Sequence, residues 1–388
     1  MQLTIQKKDL LESIQKVSAA ISSRTAIPIL TGMKMDVTTN GVVLTGSDSD
    51  ITIQSHIHVE KNVGTNDEGQ VIKETIITDI TPGSIVLPVP HFPEIIKKLP
   101  EDQVHITVDE QYKTTIKSGK ALFTLYGQST SEYPQVEIHQ HDDHINLPVK
   151  ELKALIRQTV FAVSQMETRP ILTGVHVKID SETITFTATD SHRLALRSIK
   201  TNLHDFEETE IVIPGKSLQE LNKMMDQNDE FIRIAILKNQ VLFYTEDTYF
   251  LSRLLSGNYP DTTRLIPSES ETNIQIYTKQ MIQTIERAAL LSNRDQNNVI
   301  KLEILDDHVI EITGNSPEVG NVQESFSAIA VEGEPLKISF SSKYLLDTLK
   351  TIDSEKVEIA FTGAMRPFII TAPNDEHILQ LILPVRTY

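Results

Sequence analysis

The stretch IPILTG at Ile27–Gly32 returns as RPILTG at Arg169–Gly174, 142 residues later. The same offset aligns LTGSDSDITIQSHI (Leu44–Ile57) with FTATDSHRLALRSI (Phe186–Ile199), and KKDLL (Lys7–Leu11) with VKELK (Val149–Lys153). A constant offset held over so many residues marks an internal duplication. Further on, SIVLP (Ser84–Pro88) matches EIVIP (Glu210–Pro214), and SEYP (Ser131–Pro134) matches GNYP (Gly257–Pro260), both at offset 126. The first copy therefore holds a loop 16 residues longer, which the polar run NVGTNDEGQ (Asn62–Gln70) fits.

A fainter third copy follows. EITGNS (Glu311–Ser316) lies 126 residues after TFTATD (Thr185–Asp190), and KISFSSKYL (Lys337–Leu345) lies 127 after EIVIPGKSL (Glu210–Leu218). The polar stretches HQHDDH (His139–His144) and PSESET (Pro267–Thr272) read as linkers. Three domains are expected, at 1–142, 143–270 and 271–388.

Each copy opens with apolar residues spaced for one helical face: Leu10, Leu11, Ile14, Val17 and Ile21, then Leu152, Leu155, Ile156, Val160 and Val163, then Met281, Ile282, Ile285, Ala288 and Ala289. Alternating strand-like runs follow, then a shorter helix (HFPEIIKKL, KSLQELNKMM, SKYLLDTLKTI), then more strands. Strands dominate, and two helices per copy would pack on one sheet face, so the class is α+β.

The 388 residues hold 36 Lys and Arg against 53 Asp and Glu, a net charge of −17. There is no Cys, which excludes disulfides, thiolate metal sites and Cys nucleophiles and fits a reducing, cytoplasmic setting. No apolar run approaches a membrane span, and the first residues lack a signal-peptide pattern. Net acidity alone argues against nucleic acid. The six helical windows with their flanks, out to Arg24, Arg169 and Arg294, nevertheless hold 17 basic and 9 acidic residues, leaving −25 for the rest. On the second copy's first helix, Lys150, Lys153 and Arg157 fall on a different face from Leu152 and Ile156. Ordinary solvated helix faces would give this pattern, and so would one shared basic surface that contacts a phosphate backbone. Under the second reading Lys97, Lys98, Lys153, Arg157, Lys216 and Lys223 are candidate DNA contacts.

No phosphate loop, dinucleotide fingerprint, nucleophile elbow or HExxH motif is present. Asp190, Ser191 and His192 are adjacent, whereas a catalytic triad gathers separated residues, so no catalytic residue is nominated. His139, His141 and His144 form no closed ligand set, and Asp48 and Asp50 lack the remainder of a calcium loop. Neither a metal nor a cofactor is expected.

Taken together, ETRPILTGV (Glu167–Val175), ATDSHRLAL (Ala188–Leu196), NYPDTTRLIP (Asn258–Pro267) and the terminal LPVRTY (Leu383–Tyr388) resemble the bacterial DNA polymerase III beta subunits, the sliding clamps, over essentially the whole chain. The resemblance implies three repeated clamp domains and a head-to-tail homodimeric ring, with helices lining the inside and sheets outside. Such a ring encircles duplex DNA without sequence preference and tethers the replicative polymerase, with no catalysis of its own. Polymerases, the clamp loader and repair proteins dock on it through short linear peptides.

Residue by residue, the resemblance places a partner-peptide pocket on Leu172, Thr189, Ser191, His192, Arg193 and Leu194. Pro260, Arg264 and Leu265 join it, as do Leu383, Pro384, Val385 and Arg386 at the chain end. Ser191 stands where many relatives have Gly, and Val385 where some have Met, so groove depth is expected to differ. Arg24 and Gln165 fall on DNA-facing positions. Met166 and Pro90 occupy two more but bring no charge, and Arg169 borders the pocket. The dimer contact maps to Phe123 and Leu125, meeting Leu290 and Leu291 of a second copy. Two other classes fit the composition: a β-rich repeat module binding protein or carbohydrate, and a hydrolase using the histidines and acids near 139–144 or 189–193.

Overall fold

The computed structural model describes the chain except residues 67–68, 137, 139–140, 142, 204–205, 226–228, 293–297, 307, 317 and 387–388. His139, Arg294, Thr387 and Tyr388 therefore lie outside the described residues. Six α-helices occur among the described ones: α1 Lys7–Ser18, α2 Phe92–Lys98, α3 Val149–Arg157, α4 Gly215–Met224, α5 Thr278–Ser292 and α6 Ser342–Leu349. The rest of the regular structure is antiparallel strand and short 3-10 turns, the α+β content the sequence indicates.

The recurring PILTG stretch has a local reason. In both copies it forms a 3-10 turn, Pro28–Thr31 and Pro170–Thr173, begun by a proline that needs no N–H partner. The Thr31 and Thr173 hydroxyls donate back to the Pro28 and Pro170 carbonyls at 2.8 and 2.7 Å. The glycine then enters a strand in a crowded place. A Cβ on Gly174 would lie 2.7 Å from a Leu255 methyl and 2.8 Å from the Ile213 carbonyl oxygen.

The chain packs as two compact units, residues 1–149 with 223–253 and residues 150–222 with 254–388. In the first unit, an eight-stranded sheet takes four strands from the first repeat and four from the second. The repeats meet where Ile51–His58 pairs with Thr248–Arg253, Ser55 facing Thr248. A five-stranded sheet of first-repeat strands ends at the edge strand Ala121–Tyr126. In the second unit, a nine-stranded sheet joins the second and third repeats through Arg193–Lys200 and Asp375–Ile382, with Arg197 facing Ile378. A four-stranded third-repeat sheet ends at the edge strand Gly320–Ser327.

Helix faces follow the apolar spacing. Leu10, Ile14 and Val17 of α1 are fully buried, as are Leu152, Leu155 and Ile156 of α3 and Met281 and Ile285 of α5. Each such side chain contributes about 1.5–3 kcal/mol on leaving water. The second-copy helix is shorter than its spacing suggests. The Thr159 hydroxyl takes the Leu155 carbonyl at 2.6 Å while the Thr159 N–H turns to Ile156. The chain tightens there, and Val160 and Val163 are buried from a 3-10 turn and its end instead.

Part of the run expected as a long first-copy loop is strand. Glu60–Thr65 and Val71–Thr75 pair as a two-stranded hairpin around it. Asn66 holds its turn, accepting the Gln70 N–H on its side-chain oxygen at 2.8 Å.

Candidate functional site

The turn joining Thr183–Thr189 to Arg193–Lys200 is built by Asp190. Its carboxylate accepts the backbone N–H groups of His192 and Arg193 at 2.9 and 3.1 Å. Ser191, between Asp190 and His192, adopts φ +77°, the left-handed conformation that favours glycine. The Thr189 hydroxyl donates to the Arg193 carbonyl at 2.6 Å and accepts the Ser191 N–H at 3.1 Å, closing the turn. Asp190, Ser191 and His192 are thus consumed by turn geometry and aromatic contact: the His192 ring stacks on Tyr344 at 6.4 Å.

Arg193 is buried, 6% exposed. Its Nε donates to Asp190 at 3.0 Å, one terminal nitrogen to Asp347 at 2.8 Å, and the other to the Phe161 carbonyl at 2.7 Å. The guanidinium also lies over the Tyr344 ring, 4.5 Å from its centroid. All three guanidinium nitrogens are engaged within the chain, so Arg193 braces the turn from inside. Burial raises the Tyr344 hydroxyl pKa, and the nearby Asp190 carboxylate adds to this.

Leu172 and Leu194 are buried, at 4% and 1% exposed. Tyr259 reinforces the turn: its hydroxyl oxygen accepts the Thr189 N–H at 3.1 Å and its ring stacks on His176 at 5.0 Å. Burial pushes the Tyr259 hydroxyl pKa well up. Pro260, Arg264 and Leu265 follow on an exposed segment, with Arg264 at 3.2 Å from Asp261 and Leu265 half exposed. The chain end closes the other side. The Leu383 N–H donates to the His192 carbonyl at 2.9 Å and the Val385 N–H to the Ser339 carbonyl at 2.7 Å. Leu383, Pro384 and Val385 are half-buried and Arg386 is exposed. Within the second unit the turn is thus joined to the chain end through Leu383 and to Tyr259, the neighbour of Pro260.

Sequence reasoning weighed Asp190 only as a catalytic residue and did not single out Phe161, Tyr259, Tyr344 or Asp347. The spacing of Asp190 and Arg193 was a usable signal for a turn. Asp347 is 154 residues from Arg193, and no local pattern joins them.

The candidate DNA contacts sit on or beside helices with unequal freedom. Arg24 and Gln165 are exposed just beyond α1 and α3, and Lys97 is exposed on α2. Lys98 pairs with Glu94 at 3.7 Å, and Arg157 pairs with Asp353. Lys153 is half-buried, while Lys216 and Lys223 are exposed on α4. On the expected dimer surfaces Phe123 and Leu290 are 38% and 72% exposed, and Leu125 and Leu291 are half-buried. Among the described residues no group of histidines and carboxylates forms a metal site. His144 Nδ1 is instead 2.8 Å from the His141 carbonyl.

Models of the N-terminal, central and C-terminal domains of the DNA polymerase III beta subunit match residues 1–137, 146–261 and 263–386. The chain belongs to the DNA polymerase III beta subunit, or sliding clamp, family. The beta sliding clamp of Bacillus subtilis strain 168 is 52% identical over 388 residues, covering all of both chains. That of Staphylococcus aureus is 46% identical over 389 residues, again with full coverage of both. The crystal structure of the Bacillus subtilis clamp superposes with a TM-score of 0.93, covering all of both chains. The fold is therefore that of the sliding clamps, with three clamp domains.

Proposed function

We propose that two copies of this chain close head to tail into a ring around duplex DNA and hold the replicative polymerase to its template. The observation that carries this reading is a pair of open sheet edges. At both seams between repeats within the chain, an edge strand of one repeat pairs with the last strand of the next. The equivalent strands left over are Ala121–Tyr126 and Gly320–Ser327, each ending its sheet among the described residues. Unpaired strand edges are a liability that a partner strand removes. Transferring the register of Thr248 and Ser55 by the repeat offsets sets Leu122 against Glu324, and Phe123 against Gln323, of a second copy. Exposed Leu122, Tyr126 and Leu290, at 65%, 76% and 72%, supply apolar surface beside that edge. Phe123 and Leu125 meet Leu290 and Leu291 in this arrangement.

The basic helix residues, Arg24 first among them, would touch phosphates weakly and without sequence preference, while the acidic remainder repels DNA elsewhere. Enclosure retains the protein on DNA and weak contact permits sliding. The groove formed by Leu172, Leu194, Leu265 and the Leu383–Arg386 segment takes short peptides with aliphatic or aromatic anchors from polymerases, the clamp loader and repair proteins. In this reading the chain is a non-catalytic cytoplasmic scaffold of domains 1–142, 143–270 and 271–388. No helix among the described residues is long and apolar enough to cross a membrane.

Loading the protein onto nicked circular DNA and then linearising the circle tests the ring. Retention on the circle and release from the linear form is the expected result. Equal retention on both sinks the proposal.

A further inference from the structure

We infer that Asp347, on α6, is a positioning residue for the peptide groove, acting through Arg193; the inference rests on the groove reading above. The argument starts from a difference between two otherwise equivalent turns. Asp48, Ser49 and Ile51 repeat Asp190, Ser191 and Arg193 at the offset of 142. Asp48 caps its turn as Asp190 does, accepting the N–H groups of Asp50 and Ile51 at 3.1 and 2.8 Å, and Ser49 has φ +81°. The backbones agree, yet one turn carries buried Ile51 and the other a buried cation.

A buried guanidinium persists only when its charge and donors are answered. Asp190 answers from the turn itself, and the Phe161 carbonyl from the segment after α3. Asp347 answers from the third repeat and is itself held at 2.7 Å by Lys343, one helical turn earlier. The guanidinium thereby ties three separate chain segments together at one point. Tyr344, over which it lies, is the ring on which His192 stacks, and the His192 carbonyl holds Leu383. Removing the Asp347 charge leaves one Arg193 donor in a buried place with a weaker acceptor. The guanidinium then loses its fixed place over Tyr344, and the wall formed by His192 and Leu383 loses its anchor.

The experiment uses full-length protein and fluorescein-labelled overlapping peptides covering the replicative polymerase of the same organism, with anisotropy giving Kd. Asp347→Asn is compared with Asp347→Glu and with Asp375→Asn. The last removes the Arg197 partner at the far end of the same strand pair. Asp347→Asn should weaken peptide binding about tenfold or more with the dimer mass unchanged, Asp347→Glu should recover most of it, and Asp375→Asn should stay near wild type. Wild-type affinity in Asp347→Asn overturns the inference. So does an equal loss in Asp375→Asn, because the effect would then be general weakening of the seam. If the wild-type protein binds none of the peptides, the groove reading itself falls and the inference falls with it.

Discussion

Ser191 and Ser49, 142 residues apart, share the same left-handed backbone, at φ +77° and +81°. Both sit inside an aspartate-capped turn, where the cap leaves no other conformation open. A non-glycine residue there costs about 1–3 kcal/mol. Ser191→Gly should therefore unfold within about 1 kcal/mol of wild type, or above it, while the β-branched Ser191→Val should lose about 1–2 kcal/mol. Chemical denaturation of the three proteins checks this, and a stable Ser191→Val would show that the turn relaxes.

Deleting Leu383–Tyr388 removes the strand extension that Leu383 and Val385 anchor through the His192 and Ser339 carbonyls. Peptide binding should disappear while the dimer persists. Peptide affinity that survives the deletion would refute the assignment of the chain end to the groove.

Leu290 is 72% exposed, so Leu290→Asp should leave the fold of its own unit intact. In the proposed ring it places a charge in the contact between copies. Sedimentation velocity should then report one chain in place of two.

Arg24 is exposed and has no ion-pair partner among the described residues. Charge reversal by Arg24→Glu should lower the slope of log binding constant against log salt by about 1 per subunit. An unchanged slope would make Arg24 a surface residue of the turn only.

His56 sits where Ile51–His58 meets Thr248–Arg253, its ring 5.1 Å from that of Tyr249. Burial pulls its pKa below 6.5, the neighbouring His58 charge lowers it further, and Asp247 opposes them. The folded protein then binds fewer protons here than the unfolded chain. The resulting stability is complete above pH 6.5 and is lost as pH falls through the folded value. His56→Phe keeps a ring against Tyr249 and should flatten the fall of the melting temperature between neutral and acid pH.

The repeats, the α+β class and the helix faces were legible because each is written in local spacing: one offset for the duplicated turns, one period for Leu10, Ile14 and Val17. The expected pocket residues rest on the family resemblance alone, since Leu172 and Leu194 are indistinguishable from core by composition. What stayed hidden depends on pairs far apart in the chain. Nothing local to Arg193 announces the partners that bury it, Asp347 and the Phe161 carbonyl. The end of α3 was missed for a nearer reason, because the Thr159 hydroxyl competes for a helix carbonyl that spacing assigns to the backbone.

The open edges at Ala121–Tyr126 and Gly320–Ser327 are unlike each other, so neither is built to pair with itself. Association of this kind has polarity, and every copy added exposes the same pair of ends again. In the proposed assembly growth stops only when the last free edge meets the first and the ring closes. A copy that fails to close such a ring still offers both edges, so the danger built into this architecture is polymerisation as much as dissociation.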